Sequence, residues 1–172
     1  TVVDLSDEAM PRTVTTLDTR FGPRAVGAGA DRAYVVGHFS GLDGGVQPSW
    51  LRLAAVTIPA APTPIGELPL ASRDDLTVVD HLAYVIGSGG LCIVDLADPA
   101  APVSLSTTDL GGSLRSIVVS GAIGYALVDV AYDDVHLRVL DIGDPAAPAS
   151  LCDFPLPGTY SRDLALAGNR LC

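Results

Sequence analysis

The sequence predicts an all-β chain built from about four copies of one four-stranded antiparallel unit, stacked as the blades of a propeller. Three observations carry that prediction. A strand phrase that runs into a proline-rich turn recurs along the chain. A second phrase, two short strands around a tight turn, recurs between its copies. No apolar stripe of helical period is long enough to matter.

The chain opens inside the first phrase, at Val2-Val3-Asp4-Leu5, with Pro11 beyond it. The phrase returns as Leu51-Arg52-Leu53-Ala54-Ala55-Val56 before Pro59 and Pro62. It returns again as Leu91-Cys92-Ile93-Val94-Asp95-Leu96 before Pro99 and Pro102, and as Leu137-Arg138-Val139-Leu140-Asp141-Ile142 before Pro145 and Pro148. Pro11, Pro62, Pro102 and Pro148 are spaced 51, 40 and 46 residues apart. The apolar residues of the phrase run almost without alternation, as in a strand covered on both faces. Neighbouring blades supply the two covers. Asp-Pro-Ala-Ala-Pro then stops the strand, because Asp bonds its own backbone into a turn and Pro cannot donate to a ladder. Asp95 and Asp141 are expected to bond loop N–H groups; Ala55 replaces them in the second copy. A fourth strand follows the second proline, for example Val103–Thr107 or Ala149–Phe154. It is the outer edge of the blade, where proline and polar residues are best tolerated.

The second phrase runs Arg24–Gly37, Asp74–Gly87 and Arg115–Val128, and restarts at Arg162-Asp163-Leu164. Tyr34, Tyr84, Tyr125 and Cys172 fall in one column, spaced 50, 41 and 47. In the second blade its strands are Leu76–Val79 and Leu82–Ile86, joined by Asp80-His81. Gly121 and Gly168 hold matching turn positions, where positive φ is often required.

The segments LCIVDLADPAAP (91–102) and LRVLDIGDPAAP (137–148), with the AYV phrases that precede such segments, resemble the LVIVD repeat. This is a family of bacterial and archaeal propeller-forming repeats, and the resemblance spans essentially the whole chain. It implies a β-propeller and an exported, cell-surface setting. It implies no particular chemistry. One domain over 1–172 follows, with repeats near 1–22, 23–72, 73–113, 114–160 and 161–172. Either three internal blades and one composite blade from the termini close a ring, or the chain is part of a larger propeller.

Composition narrows the partners. Net charge is −10, all ten basic residues are Arg, and the only Glu residues are Glu8 and Glu67. Such an acidic surface disfavours nucleic acid and anionic membranes. The apolar stretch Leu51–Ala71 holds Arg52, Glu67 and four prolines, so it is no membrane span. Neither a signal peptide nor a stop-transfer segment is seen. Cys92, Cys152 and Cys172 include no CxxC spacing; two of them form a disulfide, or all are small buried hydrophobes.

The connections between second and third strands vary most in length, and loops of variable length on a rigid scaffold are where function tends to sit. They place His38, Asp43 and Trp50 in one connection and Asp129, Tyr132, Asp133, Asp134 and His136 in another. This face is the candidate site for a protein or carbohydrate partner. Its carboxylates and imidazoles suit Ca²⁺ or Zn²⁺, but neither loop has EF-hand spacing, so no cofactor is expected. Arg24, Arg115 and Arg162 recur just before the innermost strand; they line the channel mouth or pair with neighbouring Asp residues. No GxSxG, P-loop, GxGxxG or HExxH motif occurs, and no catalytic residue is marked. The first expectation is a non-catalytic binding or scaffold module. The alternatives are a hydrolase or lyase with its site at the channel mouth, or a structural subunit that self-associates through blade edges.

Overall fold

A computed structural model describes residues 1–4, 6–7, 9–19, 21–29, 31–38, 49–71, 75–131, 134–157, 163–168 and 170–172. Its regular elements are all strands. Blade 1 comprises β3 (Gly22–Ala28), β4 (Arg32–His38), β5 (Ser49–Ala55) and β6 (Thr63–Leu70). Blade 2 comprises β7 (Asp75–Val79), β8 (Leu82–Gly87), β9 (Gly90–Asp95) and β10 (Val103–Thr108). Blade 3 comprises β11 (Ser113–Ser120), β12 (Ile123–Ala131), β13 (Asp134–Asp141) and β14 (Ala149–Leu156). Each is a four-stranded antiparallel sheet in sequence order. Two hairpins flank them, β1 (Val2–Asp4) with β2 (Arg12–Thr15), and β15 (Leu166–Ala167) with β16 (Arg170–Leu171).

The turns form for the reasons the sequence suggests. Asp80, Gly121 and Gly168 occupy the same turn with φ of 54°, 58° and 60°. After the third strand, Oδ1 of Asp95 accepts from Ala97 N at 2.8 Å and Oδ1 of Asp141 from Gly143 N at 2.9 Å. Asp98 and Asp144 do the same for Ala100 N and Ala146 N, both at 3.0 Å. A backbone bond closes each turn, Ala101 N to Asp98 O and Ala147 N to Asp144 O. In blade 1 the equivalent turn is closed only by its backbone, Ala61 N to Ile58 O, because Ala55 and Ile58 stand where the Asp residues stand elsewhere. The residue after each third strand then reaches the turn of the inner hairpin: Val56 N to Asp31 O, Leu96 N to His81 O and Ile142 N to Ala122 O. His81 serves through its carbonyl, at the opposite face from the candidate site.

The core lies between blades. Tyr34, Val36, Leu51 and Leu53 of blade 1 meet Leu76, Ala83, Val85 and Val94 of blade 2. Tyr84, Ile86, Leu91 and Ile93 of blade 2 meet Ile117, Ala126, Val128 and Leu140 of blade 3. The third strands are apolar on both faces because each face belongs to a different core. Seams at the rim are also repeated. Ser106 Oγ donates to Pro145 O at 2.7 Å, and Gly66 lies so close to Pro99 O that a side chain there would collide.

Every outer strand carries one bulge, at Val14, Ile65, Leu105 and Leu151. A bulge interrupts the row of edge donors and acceptors and resists strand addition. Neither reading of the cysteines holds for all three: none is in a disulfide, and Cys92 is buried while Cys152 and Cys172 are exposed. Only Cys92, 3.3 Å from Ser104 Oγ, is a buried small hydrophobe.

Candidate functional site

Register places the site. Gly90, the first residue of β9, lies against the Thr108 carbonyl at the end of β10, and Gly112 lies against the Asp129 carbonyl. The connections between second and third strands therefore share one face with the links between blades, as expected. Of the predicted residues, Asp43, Tyr132 and Asp133 fall outside the described residues. His38, Trp50, Asp129, Asp134 and His136 lie within them.

All five sit in strands rather than loops, which corrects the sequence expectation. β12 runs through Asp129 to Ala131 and β13 starts at Asp134, so the supposed loop is the tip of a long hairpin with a bulge at Val130. Trp50 lies inside β5, paired with Gly37 on one side and Pro69 on the other. It is half-buried, which suits packing rather than an exposed anchor. His38 ends β4.

The inner strands aim two arginines along this face. β3 bulges at Arg24, between Pro23 and Ala25, and β11 bulges at Arg115, between Leu114 and Ser116. Arg24 Nε donates to His38 Nδ1 at 3.4 Å. Arg115 forms an ion pair with the Asp129 carboxylate at 2.5 Å. The equivalence is strict in sequence, since each Arg lies 14 residues before its partner. Of the two alternatives for these arginines, pairing with a neighbouring Asp is what the structure shows for Arg115, whereas the partner of Arg24 is His38.

His136 is held more tightly. Its Nδ1 lies 2.7 Å from Asp153 Oδ1 and its Nε2 3.1 Å from Asp134 Oδ1. Arg138 reaches the other Asp153 oxygen at 3.3 Å. The bond to Asp153 raises the imidazole pKa above its ordinary value, and burial opposes this only in part. The ring is thus a strut between β13 and β14, held by a carboxylate at each nitrogen. Among the described residues no cluster of three or more His, Cys, Asp or Glu is arranged to hold a metal ion. His38 and His136 have separate partners and do not converge.

A second column went unnoticed in the sequence. In the sequence position that follows Arg24, Asp74, Arg115 and Arg162 stand Ala25, Asp75, Ser116 and Asp163. Ser116 is only 4% exposed, and its hydroxyl donates to Asp163 Oδ1 at 2.8 Å while accepting from Leu164 N at 3.2 Å. Asp75 Oδ1 accepts from Leu76 N at 2.8 Å. Burial, with a contribution from Asp163, raises the Asp75 pKa. The signal was available in the position after each recurring Arg, but the residue types differ between blades, so no repeat stands out.

Behind the blade 1 rim, Arg52 lines a cavity of about 370 Å³ with Leu17, Asp18 and Glu67. Its guanidinium donates to Thr19 O at 2.8 Å, bridges Glu67 at 2.7 Å, and lies 5.5 Å from the Phe21 ring centre. Those bonds fasten the segment before β3 to the blade.

Residues 71–109 and 111–152, which cover blades 2 and 3 almost completely, match the family model described as the LVIVD repeat. The chain carries two LVIVD repeats. Its repeats are the β9 and β13 phrases together with the hairpins before them. The fold has a counterpart in a solved structure, the crystal structure of the computationally designed Ika4 protein. That structure aligns with a TM-score of 0.64 at 12% identity, over 93% of this chain and 89% of that one. At such identity the likeness concerns the fold of the LVIVD-repeat chain alone. No curated protein matches the sequence.

Proposed function

We propose that this LVIVD-repeat propeller is a non-catalytic binding or scaffold module of an exported, cell-surface bacterial protein. Its partner, a protein or carbohydrate, would meet the face that carries His38, Asp129, Asp134 and His136. The observation behind this reading is that the ionisable side chains there are already committed to one another. Arg24 is on His38, Arg115 on Asp129, and His136 between Asp134 and Asp153. A general base needs a ring nitrogen free to take a proton. His136 has both nitrogens on carboxylates, so it supports the face instead of reacting on it. Asp43, Tyr132 and Asp133 extend the same connections by sequence and supply the variable contacts. Export is supported by the cell-surface setting that the repeat implies. Among the described residues no helix is long and apolar enough to cross a membrane.

The test uses arrays of bacterial surface polysaccharides and purified cell-envelope proteins as probes. Asp43→Ala with Tyr132→Ala should weaken binding at least about tenfold, or ~1.4 kcal/mol. Asp98→Ala, at the opposite face, should leave it unchanged. Equal binding by both variants would remove the face from consideration. Turnover of chromogenic glycosides or esters that is lost in His136→Gln would instead establish an enzyme.

A further inference from the structure

The tip of the β12–β13 hairpin is held from two sides by different means. On the side of β11, the Asp129 carboxylate is paired with the Arg115 guanidinium, and both stay charged across the neutral range. On the side of β14 the backbone ladder gives out early. Its last pair is Val135 with Leu156, so Asp134 lies beyond it. The next pair sets His136 against Pro155, and proline has no N–H to donate. Side chains continue where the ladder stops. Asp134 Oδ1 lies 3.1 Å from His136 Nε2, and His136 Nδ1 lies 2.7 Å from Asp153 Oδ1. The ring thereby ties the first residue of β13 to β14.

This relay works in one protonation state only. Both ring nitrogens face carboxylates, which accept and do not donate. Two donations need two ring N–H groups, and only the imidazolium has both. The neutral ring keeps one. It stays with Asp153, the shorter contact, whose other oxygen is held by Arg138 at 3.3 Å. Nε2 then turns a lone pair toward the Asp134 carboxylate, and that bond is lost.

We propose that His136 is a proton-operated latch on the β12–β13 hairpin tip. Protonated, it fastens Asp134 to β14. Neutral, it releases Asp134 and lets the tip swing about its Arg115–Asp129 side. Around the ring, β13 contributes Asp134 and Arg138, and β14 contributes Asp153. β12 sets the uncharged Val128 opposite the ring. The linker between blades 2 and 3 packs on Arg138 through Gly111 and carries Asp109, bound to Gly111 N at 2.8 Å. Asp133 falls outside the described residues. The bond to Asp153 is the largest influence and raises the ring's pKa, with burial opposing it. The latch therefore opens above the ordinary histidine value of about 6.5. Its bearing on a partner rests on the binding face proposed above, because the tip carries Tyr132 and Asp133. The latch itself does not need that reading, and its test uses the protein without a partner.

Nitrogen chemical shifts of the His136 ring follow its protonation, and carbon relaxation at the Cα atoms of Ala131 and Asp134 follows the tip. Below the midpoint of the ring both nitrogens should carry protons, and the order parameters should be about 0.85. Above it only Nδ1 should keep a proton, and the order parameters should fall toward about 0.6. Val139, inside the same ladder, should not change. Asp134→Asn should keep the tip ordered on both sides of the midpoint, since an amide accepts from the charged ring and donates to the neutral one. His136→Gln, whose donors sit on a single nitrogen, should leave the tip loose on both. Order parameters that ignore the titration of the ring overturn the latch. So does a neutral ring with its proton on Nε2, or an Asp134→Asn tip that still loosens above the midpoint. The first two outcomes are read on the unmodified protein and stand even if a variant fails to fold.

Discussion

At the residue scale, His136 shows how neighbours fix the role of a titratable group. Asp153 and Asp134 hold its two nitrogens, and Arg138 orients Asp153 from the far side. Because the folded pKa is raised, the charged ring stabilises the fold fully below the unfolded value of about 6.5. That contribution is lost as pH rises through the higher folded value. His136→Gln should therefore lower the melting temperature more at mildly acidic pH than at alkaline pH, a comparison that thermal unfolding at the two conditions makes directly. The sequence marked His136 and Asp134 through their nearness in the chain. Asp153 was invisible to it, because the contact crosses from β13 to β14 and depends on register that no local pattern states. Arg24 and Arg115 were legible as recurring residues. Their pairing with His38 and Asp129 was not, since it relies on inner-strand bulges that shift the register by one.

At the element scale, the turn after each third strand is a natural substitution series. Blades 2 and 3 cap it with Asp95 and Asp141; blade 1 has Ala55 and keeps the backbone turn. The capping bond is thus a supplement rather than a condition of folding. Ala55→Asp should offer Thr57 N the bond that Ala97 N already has. A gain of about 0.5–1.5 kcal/mol is expected for one such bond. The melting temperature should rise by about 2–4 °C per kcal/mol, which calorimetry on the single variant would measure. These turns were readable because Asp, Gly and Pro act locally. Strand limits such as those of β7, β8 and β10 were readable within a residue or so for the same reason. The extension of β12 and β13 across Asp129 and Asp134 was not. Asp129 and Asp134 read as loop residues, whereas the long hairpin overrides that preference by cross-strand pairing.

At the scale of the whole molecule, each blade touches only its neighbours, so disturbances should travel one junction at a time. Ile93 and Val94 are adjacent in β9 but belong to different cores. Ile93→Ala should cost about 2–5 kcal/mol and loosen blades 2 and 3. Val94→Ala should loosen blades 1 and 2. Hydrogen exchange resolved by blade would show this as opposite patterns, and uniform loss in both variants would mean that the ring yields as one unit. The repeat made the architecture visible from sequence, since two phrases kept the same drift in spacing through the chain. The bulges at Val14, Ile65, Leu105 and Leu151 left no such trace, although they recur in every outer strand. They give the molecule two unlike directions. Tangentially, apolar faces invite another unit, so a tandem duplication of some forty residues adds a blade and stays within the ring. Radially, the broken edge refuses one, so the same duplication does not seed a fibre. A lineage built this way can change its circumference without acquiring an outward path to polymerisation.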